Sequence, residues 1–361
     1  MSTEFQTALV GTADGSICLS TTAPIPKIIS NSVLIKIKAV SVSPVDSKMV
    51  GDYVTEGAVA GFDFAGVVEE VGPEATECDI HVGDRVCTAI MGMNPNDPGI
   101  GAFANYTAAV EWILLKIPPS LSFEEGASLG ISFMTTGLAL FKSLDVPGYP
   151  LEPGARKIAV LVFGGSSATG TAAIQLLNLA GFDAIATCSP HNFDLVKSYG
   201  PSAVFDYQAP DCTESIRKYT KSSLKYALDC ISTATSMQFC YRALGRSGGK
   251  YTSLEPYSEA VAQTRKLVKP DWIMGPQLLG KEIPWPKPHW RAPDAELGAF
   301  GAKWTATLRK LLDCGLIRPH PIITREGGLR AVLTGIDDIR EKKISGKKLG
   351  PMDGRCRSLG P

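Results

Sequence analysis

The sequence has no Cys-x-x-Cys pair and no run of closely spaced cysteines. Its nine thiols stand apart at Cys18, Cys78, Cys87, Cys188, Cys212, Cys230, Cys240, Cys314 and Cys356. An odd, scattered set argues against a disulfide framework and a structural zinc cluster, and fits free thiols in a reducing cytosol. Net charge is also missing: 36 Lys plus Arg balance 36 Asp plus Glu, so no bulk field draws the chain to nucleic acid or to an anionic membrane. No apolar run approaches the roughly 20 residues that span a bilayer; residues 158–163 are among the longest. The first six residues include an acid and lack the basic and apolar regions of a secretory signal. A cytoplasmic protein is expected.

What is present is enough for two domains. With 361 residues, 44% hydrophobic and 20% charged, the chain has the composition of a soluble globular enzyme. Residues 33–42 (VLIKIKAVSV) alternate apolar and polar side chains as a half-buried strand does, and 64–71 and 84–88 continue the pattern beside Gly or Pro breaks. This predicts a compact, barrel-like β unit. Residues 123–139 have helical composition, opened by Ser122 and Glu125 as a capping box. Strands and helices then alternate. Strands are expected at 158–163, 184–187, 203–205, 226–230 and 250–253, and helices at 171–179 and 193–199, which implies a doubly wound parallel sheet. The prolines of Trp285-Pro-Lys-Pro-His-Trp290 exclude an ordered helix there. A helix is expected at 296–312, then a strand–helix–strand tail over 317–350.

The strongest chemical signal is Val162-Phe-Gly-Gly-Ser-Ser-Ala-Thr-Gly-Thr171, which follows a buried strand and opens a helix. Small residues let the backbone approach a pyrophosphate, and the first N–H groups of the helix face its charge. It is not a strict G-x-G-x-x-G, and a tight turn that needs glycine for packing alone is the competing reading. The flanking strand and repeated βα units favour a dinucleotide. The next strand ends Ala184-Ile-Ala-Thr-Cys-Ser-Pro-His-Asn192, with no acid to hold a ribose 2′-hydroxyl. Ser189, His191 and Asn192 can instead hydrogen-bond to a 2′-phosphate, so NADPH is expected over NADH. A solvated loop is the rival reading of His191.

These segments resemble the medium-chain dehydrogenase/reductase superfamily in its zinc-free quinone-oxidoreductase branch, and most nearly the fungal trans-acting enoyl reductases of polyketide pathways, the lovastatin type. The likeness rests on Ser43-Pro-Val-Asp-Ser-Lys48, Gly61-Phe-Asp-Phe-Ala-Gly-Val67, Val82-Gly-Asp-Arg-Val86 and Gly101-Ala-Phe-Ala-Asn-Tyr106. It continues through Phe163-Gly-Gly-Ser-Ser-Ala-Thr169, Ala186-Thr-Cys-Ser-Pro-His-Asn-Phe-Asp194, Tyr226-Ala-Leu-Asp-Cys-Ile231 and Ser345-Gly-Lys-Lys-Leu349. The resemblance implies an α/β chain with a doubly wound Rossmann domain (126–315) inserted into a GroES-like β-barrel catalytic domain (1–125 and 316–361). It implies that Val45, Asp46, Ser47 and Lys48 approach the nicotinamide ribose, and that Ser166, Ser167, Ala168 and Thr169 approach the pyrophosphate. Ser189, Pro190, His191 and Asn192 meet the 2′-phosphate. Tyr207 lies near the adenosine, with Leu254, Glu255, Ile344 and Ser345 near the rest of the cofactor. Ile131, Ser132, Phe133, Met134, Thr135, Thr136, Gly137 and Leu138 would line the acyl pocket with Gly275, Pro276, Gln277, Leu278 and Leu279.

One departure matters for the chemistry. Zinc-dependent relatives carry Gly-His-Glu where this chain has Gly61-Phe62-Asp63, and phenylalanine cannot ligate a metal. No metal site is expected. The implied reaction is NADPH reduction of an α,β-unsaturated thioester on the acyl-carrier domain of a polyketide synthase or a synthase–peptide synthetase hybrid, by a monomer. Such a reaction needs alignment and donors for the enolate oxygen rather than a Lewis acid. Lys48 and Thr135 are the candidate catalytic residues, against the plainer readings of a surface lysine and a helix-packing threonine. Tyr53 is a further candidate proton donor, and Asp46 reads as a turn-former. The rival functions are a reductase of small enones or quinones and an NADPH-binding protein without turnover.

Overall fold

A computed structural model describes residues 4–352 apart from Glu77 and Arg156; Cys356 lies outside the described residues. The chain forms two compact units, Met1–Ile131 with Pro276–Pro361, and Ser132–Gly275.

The first unit begins with β1 (Phe5–Gly11) and β2 (Ile17–Pro24), an antiparallel pair. Five further strands follow: β3 (Ser32–Ser41), β4 (Asp63–Val71), β5 (Arg85–Ala89), β6 (Tyr106–Val110) and β7 (Leu115–Lys116). They form an antiparallel sheet in the order β6-β3-β4-β5-β7. In β3 the buried Val33, Ile35, Ile37 and Ala39 alternate with the less buried Leu34, Lys36 and Lys38, so the two-residue period read from the sequence marks the core face.

The helical stretch expected over 123–139 is two helices, α1 (Phe123–Ala127) and α2 (Gly130–Leu138). The Ser122–Glu125 capping box forms as expected, with Ser122 Oγ accepting from Glu125 N at 3.1 Å and Glu125 Oε2 from Ser122 N at 2.8 Å. At this interruption the Ser128 carbonyl accepts from Lys348 Nζ at 3.3 Å.

The second unit is built on β8 (Ala159–Phe163), β9 (Asp183–Cys188), β10 (Ala203–Asp206), β11 (Tyr226–Asp229), β12 (Gly249–Ser253) and β13 (Val268–Trp272). All pairings are parallel, in the order β10-β9-β8-β11-β12-β13. Helices α3 (Ala168–Leu179), α4 (Phe193–Lys197), α5 (Cys212–Tyr219), α6 (Ala234–Ala243) and α7 (Glu259–Ala262) intervene. Leu161, Ile185, Met237 and Tyr251 meet in one core, each contributing roughly 1.5–3 kcal/mol through burial. Strand β13 has no counterpart in the sequence reading because Pro270 interrupts it. It lies at the sheet edge, where a missing N–H is tolerated.

The chain then returns to the first unit through α8 (Ala295–Asp313), β14 (Ile322–Arg325), α9 (Gly328–Arg340) and β15 (Lys348–Met352). The sequence reading draws the domain boundary at 316, whereas the compact units divide after Gly275. Arg309 of α8 explains the difference. Its guanidinium donates to the carbonyls of Leu114 at 2.8 Å, Trp112 at 2.8 Å and Glu111 at 3.1 Å, tying the helix to the turn that precedes β7.

Candidate functional site

In the second unit the glycine turn lies between the carboxyl end of β8 and α3. Gly164 adopts a left-handed φ of 83°, which glycine tolerates without strain. A Cβ on Gly170 would stand 2.3 Å from the Gly164 carbonyl, so helix and turn pack backbone against backbone. Ser167 caps α3: its Oγ accepts from Gly170 N at 3.0 Å and donates to Gly164 O at 2.8 Å. The earliest N–H groups of a helix lack intrahelical partners, and here they follow a segment with no bulky side chain. Ser166, Ser167, Ala168 and Thr169 thus form a neutral cradle at the carboxyl end of a parallel strand, where nucleotide phosphates bind in such sheets.

The adjacent loop carries the next group. Pro190–Asn192 is a short 3-10 turn after β9, and Ser189 Oγ lies 3.4 Å from Tyr207 Oη. His191 is exposed, and Asn192 Nδ2 lies 3.2 Å from its Nε2. Sequence reasoning considered acids on β9 alone, finding none at its end and Asp183 at its far start, and missed Asp206, which is the lateral neighbour of Cys188 at the end of β10. That carboxylate accepts from Gln208 N at 2.9 Å, closing its own turn. The β10 register is the signal that finds it.

A buried carboxylate holds the next rim of the sheet. Asp229 accepts from Ile231 N at 3.0 Å, Ser232 N at 2.9 Å, Ser236 Oγ at 2.6 Å and Tyr251 Oη at 2.8 Å. Ser232 Oγ in turn accepts from Leu254 N at 2.8 Å, and Ser253 Oγ donates to Glu255 O at 2.8 Å. Leu254 and Glu255 are therefore fixed from beneath. Thr136 bonds within α2 to Ser132 O at 2.6 Å and also reaches Thr169 O at 3.4 Å. A Cβ on Gly275 would lie 3.1 Å from Thr135 Oγ1, so two segments expected to line the acyl pocket meet within this unit. Ser132, Phe133, Met134, Thr135, Thr136, Gly137 and Leu138 are all buried; Ile131, in the first unit, is half-buried.

In the first unit, Asp46–Lys48 is a 3-10 turn with Lys48 and its neighbour Val50 exposed. Asp46 is more than a turn-former. Its carboxylate is buried, and Oδ2 accepts from Ser43 N at 2.7 Å while Oδ1 has no partner. Burial pushes this carboxyl well above the usual range, and the Asp63 charge adds to the rise. Asp63, fully buried, accepts from Ile131 N at 2.7 Å and from Ser41 and Ser43 Oγ at 3.3 Å each, and it pairs with buried Lys348. Burial, then the Lys348 charge, pushes the His320 imidazole down to about 4. Sequence reasoning named none of Asp63, Lys348 and His320 as functional. Ile344 and Ser345 lie just before Lys348, half-buried and exposed respectively. Arg340 donates to Ser47 O at 3.2 Å and ties α9 to the 45–48 turn.

Phe62 is buried and packs edge-on against Trp285 with centroids 5.9 Å apart; Trp285 Nε1 donates to Met93 O at 3.1 Å. Tyr53 packs on the same indole at 6.4 Å, and its hydroxyl lies 2.7 Å from His289 Nδ1. The proline-rich segment 285–290 thus furnishes both the wall around Phe62 and the partner of Tyr53. Among the described residues no group of three or more His, Cys, Asp or Glu side chains is placed to hold a metal. Gln277 helps line a concavity of about 90 Å³ with Lys281 and Arg291. That is well below the roughly 300–1,000 Å³ of ligand pockets.

Comparison with known proteins covers nearly the whole chain. The profile of the alcohol dehydrogenase GroES-like domain matches residues 30–119, and that of the zinc-binding dehydrogenases matches residues 168–262. A trans-enoyl reductase of Gibberella fujikuroi is 76% identical over 344 residues, spanning 95% of this chain and 97% of the relative. A trans-enoyl reductase of Talaromyces variabilis is 64% identical, over 95% and 96% of the two chains. Among solved structures, the CurK enoyl reductase aligns with a TM-score of 0.73 at 18% identity, over 96% of this chain and 99% of that one. A putative zinc-dependent alcohol dehydrogenase of Rhizobium etli aligns with a TM-score of 0.78 at 21% identity, over 97% and 98%. At such identities the two structures speak for the fold alone.

Proposed function

The chain belongs to the fungal trans-enoyl reductases of the medium-chain dehydrogenase/reductase superfamily, and from that premise we propose that it reduces a carrier-bound α,β-unsaturated polyketide thioester with NADPH. The thioester sits on the acyl-carrier domain of a polyketide synthase or a synthase–peptide synthetase hybrid, and the enzyme works as a cytoplasmic monomer without zinc. The observation that carries this reading is the glycine turn, with α3 capped by Ser167 behind Gly164.

When bound, NADPH supplies the hydride for the β-carbon. The chain supplies alignment and charge, and alignment alone can lower such a barrier by roughly 7–11 kcal/mol. Ser166, Ser167, Ala168 and Thr169 present the helix start to the pyrophosphate. Ser189, Pro190, His191 and Asn192 receive the 2′-phosphate and Tyr207 lies by the adenosine, while Leu254, Glu255, Ile344 and Ser345 complete the cofactor's surroundings. Val45, Asp46, Ser47 and Lys48 face the nicotinamide ribose, and the Lys48 ammonium donates to the enolate oxygen as charge develops there. Thr135 orients the thioester. Tyr53 hands its phenolic proton to the α-carbon, and His289, 2.7 Å away, returns a proton to the phenolate. The acyl chain lies along Ile131–Leu138 of α2 and the Gly275–Leu279 turn. Phe62 stands where a ligating histidine would be needed, so its place among Trp285 and Tyr53 suits an apolar acyl chain rather than an ion.

The test is NADPH oxidation in the presence of crotonyl-pantetheine. Turnover is expected, with the dissociation constant for NADPH below that for NADH and with kcat lowered in Lys48→Ala at unchanged fold. Binding of NADPH without consumption across enoyl thioesters would refute the reading, and turnover confined to quinones or small enones would replace it.

A further inference from the structure

The second unit carries a surface that hydride transfer does not use. Three segments lead into the amino ends of β11, β12 and β13: residues 217–225, 242–250 and 265–269. They hold four, three and three lysines or arginines respectively and not one acid, in a chain whose 36 cations and 36 acids balance overall. Lys218, Lys221, Lys225, Arg246, Lys266 and Lys269 are exposed, and among the described residues none of these six forms an ion pair. Lys250 is the member that does, with Asp145 at 3.0 Å.

The three segments form one surface. Gly245 N donates to Leu224 O at 2.9 Å, Lys250 N to Lys225 O at 2.8 Å, and Gly249 N to Leu267 O at 3.2 Å, so backbone bonds stitch each loop to the next. The charges are close enough to act on one another: burial, then the neighbouring Arg217, pushes the Arg265 guanidinium below its ordinary range. Like charges held together cost stability, and an anionic partner relieves that cost. Within the patch Leu267 is 67% exposed and Tyr219 47%, giving apolar anchors inside a cationic rim. The surface lies at the amino ends of the parallel strands, whereas the glycine turn follows the carboxyl end of β8, so occupation of one leaves the other open.

We propose that this cationic face docks an acidic surface of the protein that carries the enoyl thioester. The proposal rests on the trans-acting reading above, since a reductase whose substrate is tethered to another protein must capture that protein first. Long-range attraction between opposite charges raises the rate of such encounters and is weakened by salt.

The experiment compares the full chain with its triple variant Lys221→Glu, Lys225→Glu, Lys266→Glu. One substrate is free crotonyl-pantetheine, and the other is the purified carrier-bearing synthase with crotonyl on its carrier domain. The expected result is equal kcat/KM on the free thioester, and a fall of about tenfold or more on the carrier-borne one at low salt. Added salt should bring the unmodified enzyme down towards the variant, and the Lys→Gln triple should show a smaller loss in the same direction. Equal rates on the carrier-borne substrate overturn the proposal, and so does an equal loss on both substrates. Salt-sensitive binding of the unmodified enzyme alone to phosphatidylserine vesicles, with synthase turnover unaffected in the variant, assigns the face to a membrane instead. Should neither form reduce crotonyl-pantetheine or the carrier-borne substrate, the enoyl reductase reading fails. Co-sedimentation with the synthase then decides the docking claim, and equal association of the two forms refutes it.

Discussion

The glycine turn of the second unit and the buried charges of the first are both made of polar atoms, yet they follow opposite rules. The turn lies within one ten-residue stretch, where Ser167 Oγ accepts from Gly170 N and donates to Gly164 O, while Thr187 Oγ1 accepts from Gly164 N beside it. The charge cluster joins Asp63 to Lys348, 285 positions apart, and turns its bonds inward. A binding site must keep donors available, whereas a buried ion must have every bond satisfied. The two regions should therefore respond differently to the same kind of substitution.

The largest difference is expected at Asp63. Replacing it with Asn leaves the Lys348 ammonium buried without its counter-charge, and breaking a buried pair from one side costs about 3–5 kcal/mol. Thermal or denaturant unfolding of Asp63→Asn measures this directly. A loss below about 1 kcal/mol would mean that the pair is a bystander, and the contrast between the two regions would dissolve.

That pair also shows where the sequence stops being informative. Five of the six strands of the parallel sheet were legible because each declares itself locally: the uninterrupted apolar run of β8 and the turn residues after it need no distant partner. The capping box at Ser122 was legible for the same reason. The split between α1 and α2 was not, because the Ser128 carbonyl is claimed by Lys348 from 220 positions away. Nor was Asp63, which reads as a polar residue in an apolar strand until β15 is in place beside β3. Strand β13 escaped because Pro270 argues against a strand until its edge position is known. Of the site, the phosphate cradle was legible and the His289 partner of Tyr53 was not, since 236 positions separate them.

The next largest effect is a pH dependence confined to the first unit. His320 is neutral when folded down to about pH 4, whereas an unfolded histidine takes its proton near 6.5. Above 6.5 neither state is protonated, so this residue gives no slope. Between 6.5 and 4 the unfolded state gains the proton first and stability falls, by about 3 kcal/mol in all. Denaturant titrations of His320→Gln against the unmodified chain isolate this effect. An identical acid-side slope in both would remove His320 from the account. In the second unit the expected response is to size rather than to pH. Gly170→Ala presses a methyl on the Gly164 carbonyl, and overpacking costs about 1–3 kcal/mol, or up to roughly a hundredfold in NADPH affinity if the turn yields rather than the helix. Fluorescence titration with NADPH reads that loss, and unaltered affinity would show that the cradle does not touch the cofactor.

The smallest effect at neutral pH, and the sharpest contrast with Asp63, is expected at Asp46. Both acids are buried in the same cluster, but Asp46 has one backbone donor and no cation of its own, and burial keeps its carboxyl protonated well above the usual range. A neutral amide of the same shape therefore replaces a group whose protonated form burial favours, and Asp46→Asn should change stability by no more than about 1 kcal/mol. Its consequence appears on acidification. In the unmodified chain the folded state holds the Asp46 proton to higher pH than the unfolded state, which releases it above about 3.9, so stability falls as pH rises from there. That slope opposes the one from His320 above about pH 4. Removing it in Asp46→Asn should leave the His320 loss uncompensated, and the variant should weaken more steeply than the unmodified chain as the pH is lowered from 6.5 to 4. Parallel stability profiles for the two proteins would mean that Asp46 is ionised when folded, and the buried cluster would then hold two negative charges against Lys348.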